Sequence, residues 1–272
     1  MKRLIIFLII ITFLLTFSSC EVTSASPKVC VSVLDIGKAD CNLIELDHFV
    51  AVIDAGEEEN ATEILSYLRQ RGIQSIDLLI LSHFDKDHIG GVSSLLEQFP
   101  VAQIYESDFS SDRMEYEKYH QMAMEKNIPL EKIDQTITIS GDGYRFDLYP
   151  PLRDHYQTKE DNNASLLVGL HADGASFLFC GDAMEERIEE FSTQCRDTFD
   201  VVKLPYHGRK INNLDLLLSQ VKPRYGVFCC SKKNPADAQM IELVKEQNIQ
   251  LYQTVFGTVR ITYQNGDYSV IQ

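Results

Sequence analysis

No pair of cysteines in this 272-residue chain has zinc-ribbon spacing, which excludes a structural zinc held by thiolates. Cys30, Cys180, Cys229 and Cys230 lie inside apolar, strand-like runs. They read as small buried apolar residues, even where an oxidising compartment would permit disulfides. Internal repeats and low-complexity tracts are absent too, and the apolar and charged fractions are those of an ordinary globular protein. Positive charge is scarce: 25 Lys and Arg stand against 40 Asp and Glu, a formal net charge of −15. A chain this acidic does not bind nucleic acid by general electrostatic attraction. Basic residues do group locally, with Arg209, Lys210, Lys222, Arg224, Lys232 and Lys233 in the last third, leaving room for one small anionic site.

Long apolar runs are also few. The longest goes from Leu4 to about Phe17, behind Lys2 and Arg3 and ahead of Ser18-Ser19-Cys20. It is shorter than the roughly 20 residues a membrane span needs. A charged start, an apolar stretch and small residues before a cysteine read as a bacterial lipoprotein signal. On this reading residues 1–19 are the signal, Cys20 is lipidated and 20–27 form a tether. Residues 28–272 are then a single domain outside the cytoplasm, anchored to the membrane. An uncleaved N-terminal anchor or a secreted product is the rival.

What is present in concentrated form is Ser82-His83-Phe84-Asp85-Lys86-Asp87-His88-Ile89-Gly90-Gly91. It follows the apolar run Ile76 to Leu81, which reads as a buried strand entering a loop. Alternate residues of an extended segment point the same way, so His83 and Asp85 share a direction. Asp87 and His88 come after the turn and reach a second point nearby. Gly90 and Gly91 let the backbone pass close to whatever sits there. The physical reading is four nitrogen and oxygen ligands for two adjacent cations, a donor set that suits Zn, Mn or Fe.

This segment resembles the metal loop of the metallo-β-lactamase fold, and its Asp85 resembles the branch found in the extracytoplasmic domain of the competence protein ComEC. The resemblance extends along the chain. It includes Val33-Leu34-Asp35-Ile36-Gly37-Lys38-Ala39-Asp40, Ile53-Asp54-Ala55-Gly56 and Asn162-Asn163-Ala164-Ser165-Leu166. Phe179-Cys180-Gly181-Asp182 and Leu204-Pro205-Tyr206-His207-Gly208 complete it. It implies an α/β (α+β) four-layer αββα sandwich and two divalent metal ions, zinc or manganese. One ion takes His83 and Asp85, the other takes Asp87, His88 and His207, and Asp182 bridges them. Asp54 stands behind the ligands, and Asn162 or Asn163 fills the missing third position of the first ion or holds a water there. His155 and His171 compete for that place. Asp87, Asp182, Tyr206 and Lys210 are the candidate catalytic residues. Tyr206 stands where that branch has a histidine, and Lys38-Ala39 where it has Gln-Gly.

Runs near Val29–Leu34, Asn42–Leu46 and Phe49–Ile53 read as a strand meander. Asn60 and Glu63 have capping-box spacing for a helix ending at Gly72. Strands near Val101–Tyr105, helices over Arg113–Lys126 and Ala183–Phe191, and hairpins around Gly141-Asp142-Gly143, Ala172-Asp173-Gly174 and Asn265-Gly266-Asp267 follow. Two adjacent cations acidify a water and stabilise the charge that develops on a phosphoryl or carbonyl centre. The expected function is an extracytoplasmic metal-dependent hydrolase of small-molecule or phosphodiester substrates, DNA included. The alternatives are hydrolysis of a lactone, thioester or other acyl substrate, and a non-catalytic binding module.

Overall fold

The computed structural model describes residues 29–272, so the lipoprotein signal, Cys20 and the tether lie outside the described residues. The chain opens with the expected meander, β1 (Val29–Val33), β2 (Asn42–Leu46) and β3 (Phe49–Ile53), paired antiparallel. Then α1 (Ala61–Gln70), β4 (Leu78–Leu81), α2 (Lys86–Ile89), α3 (Val92–Gln98), β5 (Ile104–Ser107), α4 (Met114–Glu125) and β6 (Leu130–Ile133) extend this sheet in parallel. A second sheet begins with β7 (Ile137–Gly141), β8 (Tyr144–Tyr149), a turn of helix α5 (Glu160–Asn163), β9 (Leu167–Ala172) and β10 (Ala175–Phe179). It continues in parallel through α6 (Glu185–Gln194), β11 (Val201–Lys203), α7 (Leu214–Val221), β12 (Tyr225–Phe228), α8 (Ala238–Glu246) and β13 (Gln250–Gln253). Finally β14 (Val259–Gln264) and β15 (Asp267–Ile271) return to the first sheet beside β1. The strand orders are β15-β14-β1-β2-β3-β4-β5-β6 and β13-β12-β11-β10-β9-β8-β7.

Strand β4 shows why the layers number four. All of Leu78-Leu79-Ile80-Leu81 is buried. Period-two geometry sends Leu78 and Ile80 one way and Leu79 and Leu81 the other. The first pair joins Val31, Ile53, Phe146, Val168 and Phe177 between the two sheets. The second joins Leu68, Val92, Leu95 and Tyr119 beneath the helices of the first sheet. A third cluster, with Leu178, Val202, Ile188, Phe191, Leu218 and Val244, lies beneath the helices of the second sheet. Both sheets are covered on both faces, as the αββα expectation requires.

Two local expectations change. Asn60 does precede α1, but its side chain makes no bond to that helix; Asn60 Oδ1 accepts the Glu57 N–H at 3.2 Å, in the turn before it. The strand predicted to begin at Val101 starts at Ile104, and β6 was not anticipated: its sequence Leu-Glu-Lys-Ile exposes its two middle residues at the sheet edge. The six described cysteines are buried and unpaired.

Candidate metal centre

One edge of the sandwich gathers the ends of several strands. β4 runs into Ser82-His83, β10 into Gly181-Asp182, β11 into the His207 turn, β3 into Asp54 and β1 into the loop carrying Asp40. Asp85 precedes the first turn of α2, on which Asp87 and His88 lie. The chain takes left-handed backbone at Asp54 (φ 61°), Gly181 (φ 53°), Tyr206 and His207 (φ 52° each). Such backbone at non-glycine residues is unfavourable and concentrates where function requires a particular direction.

His83 and His88 are fully buried, with ring centroids 4.1 Å apart. Asp182 faces two different histidines. Its Oδ1 lies 3.4 Å from His88 Nε2, and its Oδ2 lies 3.0 Å from His207 Nε2. His207 Nε2 is also 3.1 Å from Asp87 Oδ2. His83 Nε2 stands 3.8 Å from Asp85 Oδ2. Asp54 is locked behind this set: it accepts the Ser82 N–H at 2.8 Å and the Ser82 hydroxyl at 2.7 Å, and its Oδ2 is 2.8 Å from His88 Nδ1. With Nδ1 engaged by a carboxylate, His88 keeps Nε2 free to bind a cation.

Electrostatics point the same way. His83 Nε2, His88 Nε2 and Asp182 Oδ1 are buried and make no hydrogen bond. One ligand atom from each of these three residues lies within 4.8 Å of the others. Buried polar atoms without partners are costly and call for an explanation. Burial disfavours charge on both His88 and His207, yet the nearby carboxylates, Asp182 foremost, hold both well above an ordinary imidazole. Burial would likewise raise Asp182, but His207 and His88 hold it well below the usual carboxylate range. A set so rich in carboxylates and unpartnered imidazoles fits divalent cations, which would replace the protons as the compensating charge.

Two further residues belong to the site. Asp40 is fully buried, 3.6 Å from His207 Nδ1 and 3.9 Å from His88 Nδ1. Lys203, equally buried, makes an ion pair with Asp40 and donates to the Gly181 carbonyl at 3.0 Å. Burial works against the charge on Lys203, but Asp40 outweighs it and keeps the ammonium charged. A lysine inside the apolar run Val201-Val202-Lys203-Leu204 was the sequence signal for a buried ion pair. Asp40 stood in the opening motif without a role.

Other candidates are placed elsewhere. Gly90 and Gly91 do not make room for a ligand: a Cβ on either would collide with backbone of the Ala55–Glu58 segment, which packs against the loop. Asn163 uses its amide to accept the Met184 and Arg187 N–H groups at 3.2 and 3.1 Å and to donate to the Thr158 carbonyl. It anchors the start of α6 and has no capacity left for a metal. Asn162 is the asparagine that reaches the site, its Nδ2 3.3 Å from Asp182 Oδ2. His155 is exposed and pairs with Glu160, and His171 sits at the far end of β9 against Asp197. Tyr206 shapes the turn that presents His207, its carbonyl accepting the Arg209 N–H at 2.7 Å. Lys210 is exposed and tied through its backbone N–H to Asp237. The cations touching the site's carboxylates are instead Lys203, Lys38 on Asp87, and Arg113 on Asp85.

Known proteins resemble this chain in sequence or in fold. The chain is 26% identical to ComE operon protein 3 of Bacillus subtilis over 215 residues, 76% of this chain and 27% of that protein. It is 27% identical to Recombination protein 2 of Haemophilus influenzae over 221 residues, 78% of this chain and 25% of that protein. It thus spans about a quarter of the length of these relatives. The metallo-beta-lactamase fold protein YhfI of Bacillus subtilis superposes with a TM-score of 0.56 at 11% identity, covering 89% of this chain and 100% of that one. Because the family model of the metallo-beta-lactamase superfamily matches residues 34–232, a span that takes in every ligand candidate described above, the chain belongs to that superfamily of metal-dependent hydrolases.

Proposed function

We propose that this chain is an extracytoplasmic, membrane-tethered hydrolase of phosphodiesters that works with two divalent metal ions. The observation carrying this reading is Asp182, a buried carboxylate grouped with His83 of the first ligand set and facing both His88 and His207 of the second. His83, Asp85 and Asp182 would hold one ion, and Asp87, His88, His207 and Asp182 the other. Bound there, zinc or manganese supplies Lewis acidity, which acidifies a water and neutralises charge developing on the attacked centre. The chain's own part is preorganisation. Asp54 directs His88, Asp40 stands behind His207, and Lys203 keeps Asp40 ionised. These buried partners let the imidazoles meet a cation without rearranging.

Phosphodiesters are favoured over acyl substrates because the relatives matched over about three quarters of this chain include a recombination protein, a name tied to DNA, whereas hydroxyacylglutathione hydrolase matches 63 residues. The lipoprotein-like N-terminus supports an extracytoplasmic position, with Cys20 as the anchor. Among the described residues, no helix is long and apolar enough to cross a membrane.

The test is a paired screen of the mature chain, reconstituted with zinc or manganese, against bis-p-nitrophenyl phosphate and a panel of lactones, thioesters and acyl esters. Chelator-sensitive cleavage of the phosphodiester is expected. Cleavage of acyl substrates alone would move the chain to that chemistry. Full metal content with no turnover of either would leave a binding module.

A further inference from the structure

Two cations stand at the mouth of the metal centre, each tied to a carboxylate that a metal would claim. The Lys38 ammonium donates to Asp87 Oδ2. Arg113, at the start of α4, donates from Nη2 to Asp85 Oδ1, and the same nitrogen lies 3.4 Å from Asp161. Asp85 and Asp87 are two residues apart, on either side of the first residue of α2. The two cationic side chains are 37% and 30% exposed, whereas Lys203 is 1% exposed. Lys203 is sealed in and compensates a buried charge. Lys38 and Arg113 are partly exposed beside the carboxylates.

The Lys38 bond competes directly with a loaded centre, whereas Arg113 holds Asp85 Oδ1 and leaves Oδ2 to face His83. Asp87 Oδ2, which Lys38 grips, is the oxygen that also faces His207 Nε2 at 3.1 Å. Divalent ions bound at Asp85 and at Asp87 would neutralise those carboxylates and weaken the hold of each on the adjacent guanidinium and ammonium. Both heads sit on long flexible stems, so they can leave the aspartates without moving the backbone. A compact ammonium and a planar guanidinium fork are suited together to an anion that offers several oxygens, such as a phosphoryl group. In a chain of net charge −15, an anionic substrate gains nothing from the general field, so local cations have to supply its attraction.

We infer that Lys38 and Arg113 form the anion clamp of this site, held on Asp87 and Asp85 until metal takes those carboxylates and then turned to the phosphoryl oxygens of the substrate. This rests on the phosphodiester reading and assigns the residues that recognise its charge.

The experiment titrates inorganic phosphate by calorimetry into the metal-loaded mature chain, into Lys38→Met and Arg113→Met, and into the charge-conserving Lys38→Arg and Arg113→Lys. Metal content of every sample is measured by elemental analysis. The expected result is that each methionine variant keeps its metal and binds phosphate about tenfold more weakly, as for loss of one charge-assisted hydrogen bond, while the charge-conserving variants retain most of the affinity. Methionine variants that bind phosphate as tightly as the parent, in a chain that hydrolyses bis-p-nitrophenyl phosphate, would overturn the clamp and leave the proposed function standing. Methionine variants that lose their metal would overturn it too, since the two cations would then be holding the site together. A loaded parent that neither binds phosphate nor cleaves the diester would overturn clamp and function alike.

Discussion

Nδ1 of His207 lies 3.6 Å from Oδ1 of Asp40, a carboxylate wholly shielded from water and paired with an equally buried Lys203. The Asp40 backbone N–H donates to the Asp87 carbonyl at 3.0 Å, and its carbonyl accepts the Gly56 N–H. One loop residue therefore ties the metal loop, the His207 turn and strand β11 together. Asp40→Asn should lower the affinity of the second ion by about ten- to a hundredfold, the usual cost of losing a partner behind a ligand, and should also destabilise the fold, because the buried Lys203 ammonium loses its counter-charge. Lys203→Met should cost about 3–5 kcal/mol in urea unfolding, because it leaves Asp40 buried without compensation. The double variant should recover much of that loss. A Lys203→Met chain as stable as the parent would show that the pair carries no such weight.

Asp182 and His207 should be needed for turnover. Asp182→Ala is expected to lose both ions and His207→Ala one, with activity falling by more than about a hundredfold, beyond what partners behind the ligands cost. Metal counting separates the two variants. An Asp182→Ala chain that keeps two ions would refute the bridging role.

Asp85 places a hard oxygen where an imidazole would be softer, so manganese should serve this site well. Asp85→His should shift the manganese-to-zinc activity ratio toward zinc. An unchanged ratio would mean that Asp85 does not touch the ion.

Metal-free and metal-loaded chains should answer pH with opposite slopes. His88 and His207 have folded-state pKa values raised above 6.5 by their carboxylate partners against the effect of burial. The stability they contribute is complete below 6.5 and is lost as pH rises through the folded values. Asp182 is depressed below 3.8, so its contribution is complete above that value and disappears only in stronger acid. The metal-free chain should therefore melt highest in mildly acid buffer and lower as pH climbs from about 6 to 9. The loaded chain should gain over the same range, because metal must displace the histidine protons. Melting temperatures of both forms across that range check this. Parallel curves would count against the assigned charge states.

Lipidation at Cys20 is testable in an expressing bacterium. Globomycin should accumulate the precursor, and Cys20→Ala should stop acyl labelling. A soluble secreted product from the unaltered gene would contradict the anchor.

Much of this protein was legible without coordinates. The meander, the hairpins and the buried β4 follow from period-two apolar patterning and turn residues, which are local signals. His83, Asp85, Asp87 and His88 could be read together because one loop carries them, so their proximity is a matter of a few backbone torsions. Asp182 and His207 lie in distant segments and entered only through resemblance to a family. What the residues alone could not reveal depends on packing. Whether Gly90 and Gly91 admit a ligand or a neighbouring backbone was decided by the Ala55–Glu58 segment lying against them. Which asparagine faces the site was decided by α6, whose first turn takes up the amide of Asn163. Nearness in sequence favoured Lys210, yet Lys38 and Arg113 are the cations brought to the carboxylates. The Asp40–Lys203 pair joins the loop between β1 and β2 of one sheet to the end of β11 in the other. A charge in an apolar run announces that it must have a partner, because an unpaired buried ion is too costly to keep; only the stacking of the two sheets determines which residue that partner is.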